Sequence, residues 1–252
     1  MTTRWDAKPA DAGASSVVAL VLAGGMGSRM GRPKQFIELL GRPALLYTLH
    51  AFEHAPEIDR IYAVGDAARI KELAAEARIS KYAGCALPGE SRSLSTKSGL
   101  GLLGEDPETV VLVHDGSRCL VSPELVGRIV GAARGGPEVP DGVIPALPVS
   151  DTIKIAEGGA VLETLDRGRL WAVQTPQAFR LNLLRELHNG ADDLLHAATD
   201  DASLVEGAGG RVAVVHGEKT NIKLTSPEDL IMAEAILRAR GGSRHLRDGA
   251  RH

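Results

Sequence analysis

The chain has 252 residues, a formal net charge of −3 and an aromatic content of only 3%. This length accommodates one large α/β domain or two small ones around a substantial core, and we expect one domain. The small acidic excess offers no general basic surface, so nucleic acid is not an expected partner. No apolar run approaches the roughly 20 residues of a membrane span, and two cysteines are too few for a disulfide framework. We therefore expect a cytoplasmic protein with no membrane partner.

The two ends of the chain differ in composition from the part between them. Residues 1–16 lack the apolar core of a signal peptide, which predicts a disordered leader. Residues 241–252 are rich in glycine and arginine and are predicted to form a disordered tail. The sequence thus predicts a single folded domain over 17–240.

The most informative stretch is VVALVLAGGMGSRMGRPKQ, at 17–35. Its apolar first part predicts a buried parallel strand, and the glycines that follow leave backbone N–H groups open to a polyanion. Arg29 and Lys34 add two cations to the same loop, so the pattern favours a nucleoside triphosphate. The spacing matches neither the dinucleotide fingerprint nor the P-loop, and a plain strand-to-helix turn requires neither cation. The candidate backbone contacts to phosphate are Ala23, Gly24, Gly25 and Gly27.

Strands and helices alternate along the first half of the chain. Predicted strands lie at 58–64, 109–115 and 142–148, and predicted helices lie at 43–54, 66–78, within 87–103, and at 122–134. Alternation of this kind predicts parallel strands joined by right-handed crossovers. The expected fold is α/β, with a Rossmann-like mixed, mostly parallel sheet flanked by helices. Ligands of such sheets bind at the carboxyl ends of the strands.

Two predicted elements place polar residues at that edge of the sheet. The helix within 87–103 begins with several hydroxyl residues that caps and surface explain, but Arg92 and Ser95 share one face and are the expected ligand contacts. The strand at 109–115 ends in His114 and Asp115. Asp115 can bind a ribose hydroxyl or help to hold Mg²⁺ over a triphosphate. His114 is expected to make a structural hydrogen bond.

The pattern changes between residues 149 and 171. Alternating apolar and polar residues around Gly158 and Gly159 predict a β-hairpin arm that protrudes from the parallel core. An isolated hairpin is marginally stable, so we expect the arm to pack against a second copy of the chain. The alternative is a surface hairpin folded back on its own domain.

The last third of the chain returns to the core pattern. The segment 173–179 precedes a predicted helix at 180–190, and the acidic run at 199–206 predicts another, with Thr199 as its N-cap. Capping is a sufficient explanation for the acids of this run. A strand at 212–217 leads to Lys223, which is either simply exposed or faces the phosphates.

Seven motifs in this order resemble one enzyme family. They are AGGMGSRMGRPKQ, GESRSLS, VLVHDGSR, DTIK, LWAVQTPQAF, TDDASLVE and NIKLTSPEDL, and together they span about 18–238. The chain resembles the cytidylyltransferases that make CDP-alcohols, specifically the 2-C-methyl-D-erythritol 4-phosphate cytidylyltransferases. Pro88 precedes Gly89 where that family usually has a glycine pair. The resemblance implies a homodimer interlocked by the arm.

The resemblance also implies a set of contacts to CTP. Arg29 and Lys34 match the cations that stabilise the triphosphate and the charge developing at its α-phosphate. Asp115 matches a residue used for the ribose and Mg²⁺, and Arg92 matches a supporting arginine. The positions that match the recognition of cytosine and the nearby ribose are Gly89, Glu90 and Ser95.

A second group of residues is implied for the acceptor. Thr175 and Lys223 match residues that hold the phosphates of the second substrate and the reacting centre, so Lys223 joins Arg29 and Lys34 as an expected catalytic cation. Arg118 matches a residue of the substrate region. Thr152 and Arg167, on the arm, match residues that reach the methylerythritol phosphate of the partner subunit.

The implied reaction joins CTP to a polyol phosphate with release of pyrophosphate and with Mg²⁺, or another divalent cation, as cofactor. A ribitol- or other polyol-phosphate cytidylyltransferase would share the CTP site and differ in its acceptor pocket. Nucleotidyltransferases of molybdenum-cofactor assembly share the short spacing between Arg29 and Lys34, but the arm and the later motifs favour the first family. A nucleotide-binding protein without catalysis is the alternative outside the enzymes.

Overall fold

The structure is a computed structural model, and it describes residues 15–25, 33–135, 139–190, 195 and 198–248. Gly27 and Arg29 of the glycine loop lie outside the described residues, as do residues 1–14 and 249–252 at the ends of the chain. Ser16 belongs to the fold, because its carbonyl accepts a hydrogen bond from the Val110 amide at 2.9 Å.

The described chain forms twelve strands and seven α-helices. The strands are β1 (Val17–Leu22), β2 (Glu38–Leu39), β3 (Arg42–Pro43), β4 (Arg60–Val64), β5 (Tyr82–Ala86), β6 (Val110–Asp115), β7 (Gly142–Pro148), β8 (Lys154–Glu157), β9 (Ala160–Thr164), β10 (Trp171–Val173), β11 (Gln177–Arg180) and β12 (Val212–His216). The helices are α1 (Ala44–Glu53), α2 (Ala67–Glu76), α3 (Arg92–Leu100), α4 (Pro123–Arg134), α5 (Leu181–His188), α6 (Asp201–Gly207) and α7 (Pro227–Asp248). Short 3₁₀ turns occupy Lys34–Phe36 and Arg167–Arg169.

An eight-stranded mixed sheet forms the centre of the molecule. Strands β6, β1, β4 and β5 are neighbours in that order and run parallel. Strands β7 and β12 also pair in parallel, and the antiparallel segments β10 and β11 pair with one edge of β7 while β11 also pairs with β6. The prediction of a mixed, mostly parallel sheet is confirmed.

Helices cover both faces of this sheet because β1 is apolar on both faces. Val17, Ala19 and Val21 pack with residues of α1, α2 and α4, whereas Val18 and Leu20 pack with residues of α3, α5 and α6. All five of these β1 side chains are fully buried. A strand buried on both faces reads as a continuous apolar run, which is why its position was predictable. Among the described residues, none of the helices combines the length and apolar character that crossing a membrane requires.

Two local predictions need correction. Strand β5 was not predicted, because YAGCA is a half-buried edge segment without a clear apolar alternation. The N-cap of α6 is Asp200 rather than Thr199, since the Asp200 carboxylate accepts a hydrogen bond from the Ser203 amide. Helix α7 extends from Pro227 to Asp248.

The hairpin predicted between 149 and 171 is present. Strands β8 and β9 pair antiparallel and form a sheet separate from the central one. Gly158 and Gly159 make the turn with φ of 57° and 82°, values that favour glycine. Every residue of both strands is exposed. Among the described residues, the rest of the domain therefore does not bury the two strands of the arm.

Candidate active site

A cleft of about 410 Å³ opens at the carboxyl ends of β1 and β6. This is the edge of the sheet where parallel α/β folds bind their ligands. The cleft is lined by Leu22, Gly24, Gly25, Lys34, Gln35, Gly89, Glu90, Ser91, Arg92, Ser95, Asp115, Ser117 and Lys223. Most of the predicted nucleotide contacts that fall within the described residues are thus brought together in one place.

Close backbone contacts shape the glycine loop after β1. The buried Ala23 amide donates to the Val64 carbonyl, and the Ala23 carbonyl accepts from Gln35 Nε2 at 2.6 Å. A Cβ atom on Gly24 would lie 2.3 Å from Pro88 Cβ, so only glycine fits there without displacing the neighbouring loop. The absence of a side chain at Gly24 thus allows the glycine loop to pack against Pro88 at the cleft wall.

The start of α3 forms the opposite wall. Ser91 caps this helix by accepting from the Leu94 amide, and Ser95 Oγ accepts from the Gly89 amide at 3.1 Å while donating to the Ser91 carbonyl at 2.8 Å. Ser95 therefore lines the cleft and also fixes the turn that carries Gly89 and Glu90.

Arg92 connects the cleft to a buried carboxylate behind it. Its Nε donates to Asp115 Oδ1 at 3.0 Å and its Nη1 donates to Asp201 Oδ2 at 2.6 Å. The second oxygen of Asp115 accepts from Lys223 Nζ at 2.7 Å, and the second oxygen of Asp201 accepts from His188 Nε2 at 3.0 Å. We call Arg92, Asp115, Asp201 and Lys223 the Arg92 ion-pair cluster.

All the acids of this cluster are ionised at neutral pH. Burial by itself would raise the pKa of Asp115, but the charges of Arg92 and Lys223 outweigh it and hold that pKa well below its usual range. Burial likewise opposes the charge of Asp201, and Arg92 and the hydrogen bond from His188 lower its pKa. The two carboxylates raise the pKa of Arg92 despite its burial. The cluster holds its charges in place through mutual pairing.

His114 and Thr175 form a separate buried network behind Asp115. The Asp115 amide donates to Thr175 Oγ1 at 3.0 Å, the Thr175 hydroxyl lies 3.0 Å from His114 Nδ1, and His114 Nε2 donates to the Arg118 carbonyl at 3.1 Å. Burial lowers the pKa of His114 to about 4, so the ring is neutral and accepts from Thr175 through Nδ1. The structural role predicted for His114 is confirmed. Thr175 is 5% exposed, and it is not one of the described residues that line the cleft.

The other expected acceptor contacts lie apart from the cleft lining. Arg118 donates to the carbonyls of Asn221, at 2.9 Å, and Val173, at 3.3 Å, and burial lowers its pKa. Thr152 and Arg167 are exposed on the arm, and Arg167 Nη1 donates to the Ser150 carbonyl at 3.0 Å.

Sequence reasoning overlooked the role of Asp201. The acids of 199–206 were explained by capping, which holds for Asp200 but not for Asp201, whose carboxylate is fully buried against Arg92 and His188. A signal was available, because one acid suffices for a cap and the next residue needs another explanation. The partner itself is 109 positions away in the chain, beyond the reach of any local pattern.

The cleft offers carboxylates that suit a magnesium ion shared with phosphates. Glu90 and Asp115 line it, and Mg²⁺ is usually held by one or two carboxylates together with substrate phosphates and water. No group of three or more His, Cys, Asp or Glu side chains suited to hold a metal by themselves occurs within the described ranges. Both oxygens of Asp115 already accept hydrogen bonds from Arg92 and Lys223, so the donor set fits an ion that takes most of its ligands from a polyphosphate and water.

A glycine loop, cationic side chains and carboxylates meet at the carboxyl ends of parallel strands, the arrangement expected of a nucleotidyltransferase. The family model described as 2-C-methyl-D-erythritol 4-phosphate cytidylyltransferase matches residues 17–239. The chain belongs to this cytidylyltransferase family of isoprenoid precursor synthesis, as the resemblance predicted.

Similar proteins support the assignment over almost their whole length. A protein of Rubrobacter xylanophilus named 2-C-methyl-D-erythritol 4-phosphate cytidylyltransferase is 63% identical over 226 residues, which cover 90% of this chain and 96% of that one. A protein of the same name from Bacillus velezensis is 44% identical, over 91% of this chain and 99% of that one. The crystal structure of the enzyme so named from Thermus thermophilus has a TM-score of 0.71 at 34% identity, covering 87% of this chain and 98% of that one.

Proposed function

We propose that the protein transfers the cytidylyl group of CTP to 2-C-methyl-D-erythritol 4-phosphate, giving 4-diphosphocytidyl-2-C-methyl-D-erythritol and pyrophosphate. The observation that carries this proposal is the cleft at the ends of β1 and β6, where open glycine backbone meets Lys34, Arg92 and Lys223. The family model and the relatives named above support methylerythritol phosphate as the acceptor. They give no support to the alternatives of another polyol phosphate or of a nucleotide-binding protein without catalysis.

In the proposed reaction, the protein must position the two substrates and neutralise the charge of their phosphates. A phosphate oxygen of the acceptor attacks the α-phosphorus of CTP in line, the new P–O bond forms, and the bond to the β-phosphate oxygen breaks with departure of pyrophosphate. A phosphate monoester dianion is already a nucleophile, so no general base has to remove a proton. Holding two polyanions in line and stabilising the charge that develops between them is then the main source of rate acceleration.

Each wall of the cleft has a role in this proposal. Gly24, Gly25, Lys34 and Lys223 all line the cleft, and we assign the two glycine amides and the two cations to the triphosphate. Arg29 completes this set of cations, but it lies outside the described residues. We assign the recognition of cytosine and ribose to the turn formed by Gly89, Glu90 and Ser95, with Asp115 at the ribose.

We also propose Mg²⁺, or another divalent cation, as the cofactor, held by the phosphates together with Asp115. When bound, it would supply positive charge that neutralises the charge of the phosphates. We further propose a cytoplasmic location, since two cysteines are too few for the disulfide framework of a small secreted domain.

The acceptor site is proposed to need two copies of the chain. Thr152 and Arg167 lie on the exposed arm, away from the cleft lining of their own domain. The arm also exposes apolar side chains, with Val161 58% and Leu162 62% accessible. Exposed apolar residues on a protruding hairpin support its packing against a second copy, where Thr152 and Arg167 would reach the partner's acceptor. Arg118 and Thr175 belong to the acceptor side of the cleft in this proposal.

A pyrophosphate-release assay tests the proposed reaction. CTP, UTP, ATP and GTP are each offered with methylerythritol phosphate, ribitol phosphate or a molybdopterin acceptor. We expect release only with CTP and methylerythritol phosphate. Preferred release with another acceptor would assign the chain a different reaction, and no release with any pair would favour a binding protein.

Substitution of Lys34 tests the proposed phosphate contacts. Lys34→Ala should lower turnover by about 100-fold, because a cation aimed at charge that develops in the transition state affects kcat more than ground-state binding. The CTP affinity should change much less. Lys71→Ala is the matched control, since Lys71 is exposed on α2 and does not line the cleft. An unchanged turnover number in Lys34→Ala would reject the assigned role.

A further inference from the structure

Asp201 is buried behind the cleft, and no step of the proposed reaction uses it directly. Its side chain has no exposed surface. Helix α6 does not need it as a cap, because Asp200 already accepts from the Ser203 amide. Burying a carboxylate destabilises the fold unless the charge is paired, so the role of Asp201 must lie in the partners that it contacts.

The partners of Asp201 lead back to the reacting groups. Arg92 spans from Asp201 to Asp115, with hydrogen bonds of 2.6 Å and 3.0 Å, and Asp115 holds Lys223 Nζ at 2.7 Å. The Lys223 side chain is 42% exposed and lines the cleft. One contiguous set of charge-assisted hydrogen bonds therefore runs from a fully buried residue to a cation at the cleft.

The charges of this set balance in the structure. Arg92 and Lys223 are the cations, and Asp115 and Asp201 are the anions. Without the charge of Asp201, Arg92 would be attracted by Asp115 alone and would compete with Lys223 for its oxygens. Lys223 would then lose the partner that fixes its position.

We infer that Asp201 is a positioning residue for the transfer reaction: it holds one end of Arg92, so that Asp115 stays oriented to fix Lys223 at the reacting phosphates. This inference rests on the proposed function, in which Lys223 contacts those phosphates. His188 supports the arrangement by donating to the remaining oxygen of Asp201 at 3.0 Å from a position that is itself buried.

The Asp201→Asn variant removes the charge while keeping the size of the side chain. We expect kcat to fall about tenfold, because misplacement of a catalytic cation lowers the rate of the chemical step. The KM for CTP should change by less than about threefold, because the other contacts to the nucleotide remain. Glu108→Gln is the control, since it removes a carboxylate from an exposed ion pair with Arg180 outside the cleft. An unchanged kcat in folded Asp201→Asn would overturn the inference.

A double-mutant cycle separates positioning from a general structural effect. Combined with Lys223→Ala and measured under single-turnover conditions, Asp201→Asn should cost less than about twofold, because the cation that it positions is already gone. The same loss in both backgrounds would overturn the inference. His188→Phe gives a second cycle with a milder change, and we expect a loss of about threefold that again disappears with Lys223→Ala.

Two further measurements keep the outcomes distinct. Circular dichroism and thermal unfolding establish that each variant is folded before its kinetics are compared. A wild-type protein without activity toward CTP and methylerythritol phosphate would reject the proposed function itself. An active wild type with additive losses in the cycles would reject only the positioning role of Asp201.

Discussion

His114 and Asp115 are neighbours at the end of β6, and burial opposes the charged form of both side chains. The outcome differs because their partners differ. Arg92 and Lys223 hold the pKa of Asp115 below its usual range, whereas His114 has only neutral hydrogen-bond partners, Thr175 and the Arg118 carbonyl, and its pKa falls to about 4. The end of β6 thus places the ionised Asp115 at the cleft and the neutral His114 in the core.

The depressed pKa of His114 predicts a loss of stability in acid. Between pH 6.5 and 4 the unfolded chain binds a proton at His114 that the folded chain does not, so acidification should lower the free energy of unfolding by about 3 kcal/mol. His114→Gln keeps an amide donor toward the Arg118 carbonyl but does not titrate, so its stability should depend less on pH. Urea unfolding at pH 7, 5 and 4 measures the difference. Parallel pH curves for the two proteins would contradict the prediction.

At the scale of elements, the sequence was informative where one local signal determines the outcome. The continuous apolar runs of β1 and β6 could be recognised as buried strands because strand burial on both faces shows in adjacent residues. Strand β5 escaped prediction because its edge position demands little apolar character.

Two features could not be predicted from local sequence. They are the choice between two adjacent residues as a helix cap and the contacts between distant segments at the cleft. Thr199 and Asp200 can both cap a helix, and tertiary contacts decided between them, since Asp200 also accepts from Gln177 Nε2 at 2.7 Å. The approach of the glycine loop to Pro88 likewise joins segments far apart in the chain. The composition of the candidate cleft could be predicted from its motifs, but the pairing of its charges could not.

The contact between Gly24 and Pro88 makes a prediction about these two loops. Gly24→Ala places a Cβ atom 2.3 Å from Pro88 Cβ, so one of the loops must move. We expect a loss of about 1–3 kcal/mol in unfolding free energy, as for other overpacked sites. Gly25→Ala is the matched control for stability, because a Cβ there meets nothing within 4 Å. Equal unfolding free energies for the two variants, measured in urea, would refute the account of Gly24.

At the scale of the whole molecule, the central sheet and the arm are built differently. The sheet is covered by helices on both faces, whereas every residue of β8 and β9 is exposed. A two-stranded hairpin alone is marginally stable in water. The arm is therefore the part of the molecule for which a partner surface makes the largest difference, and the proposed dimer would provide it.

Because the arm is the exposed part, a charge placed on it should weaken the proposed dimer more than a charge placed on another surface. Leu162→Glu places a carboxylate on the arm where the leucine is 62% exposed, and burying that charge in an interface should weaken the dimer by about tenfold or more. Ile231→Glu is the control, because Ile231 is 74% exposed on α7, outside the arm. Sedimentation velocity over a range of concentrations measures both. A monomeric wild type would reject the dimer, whereas a dimer weakened only by Ile231→Glu would move the interface from the arm to α7.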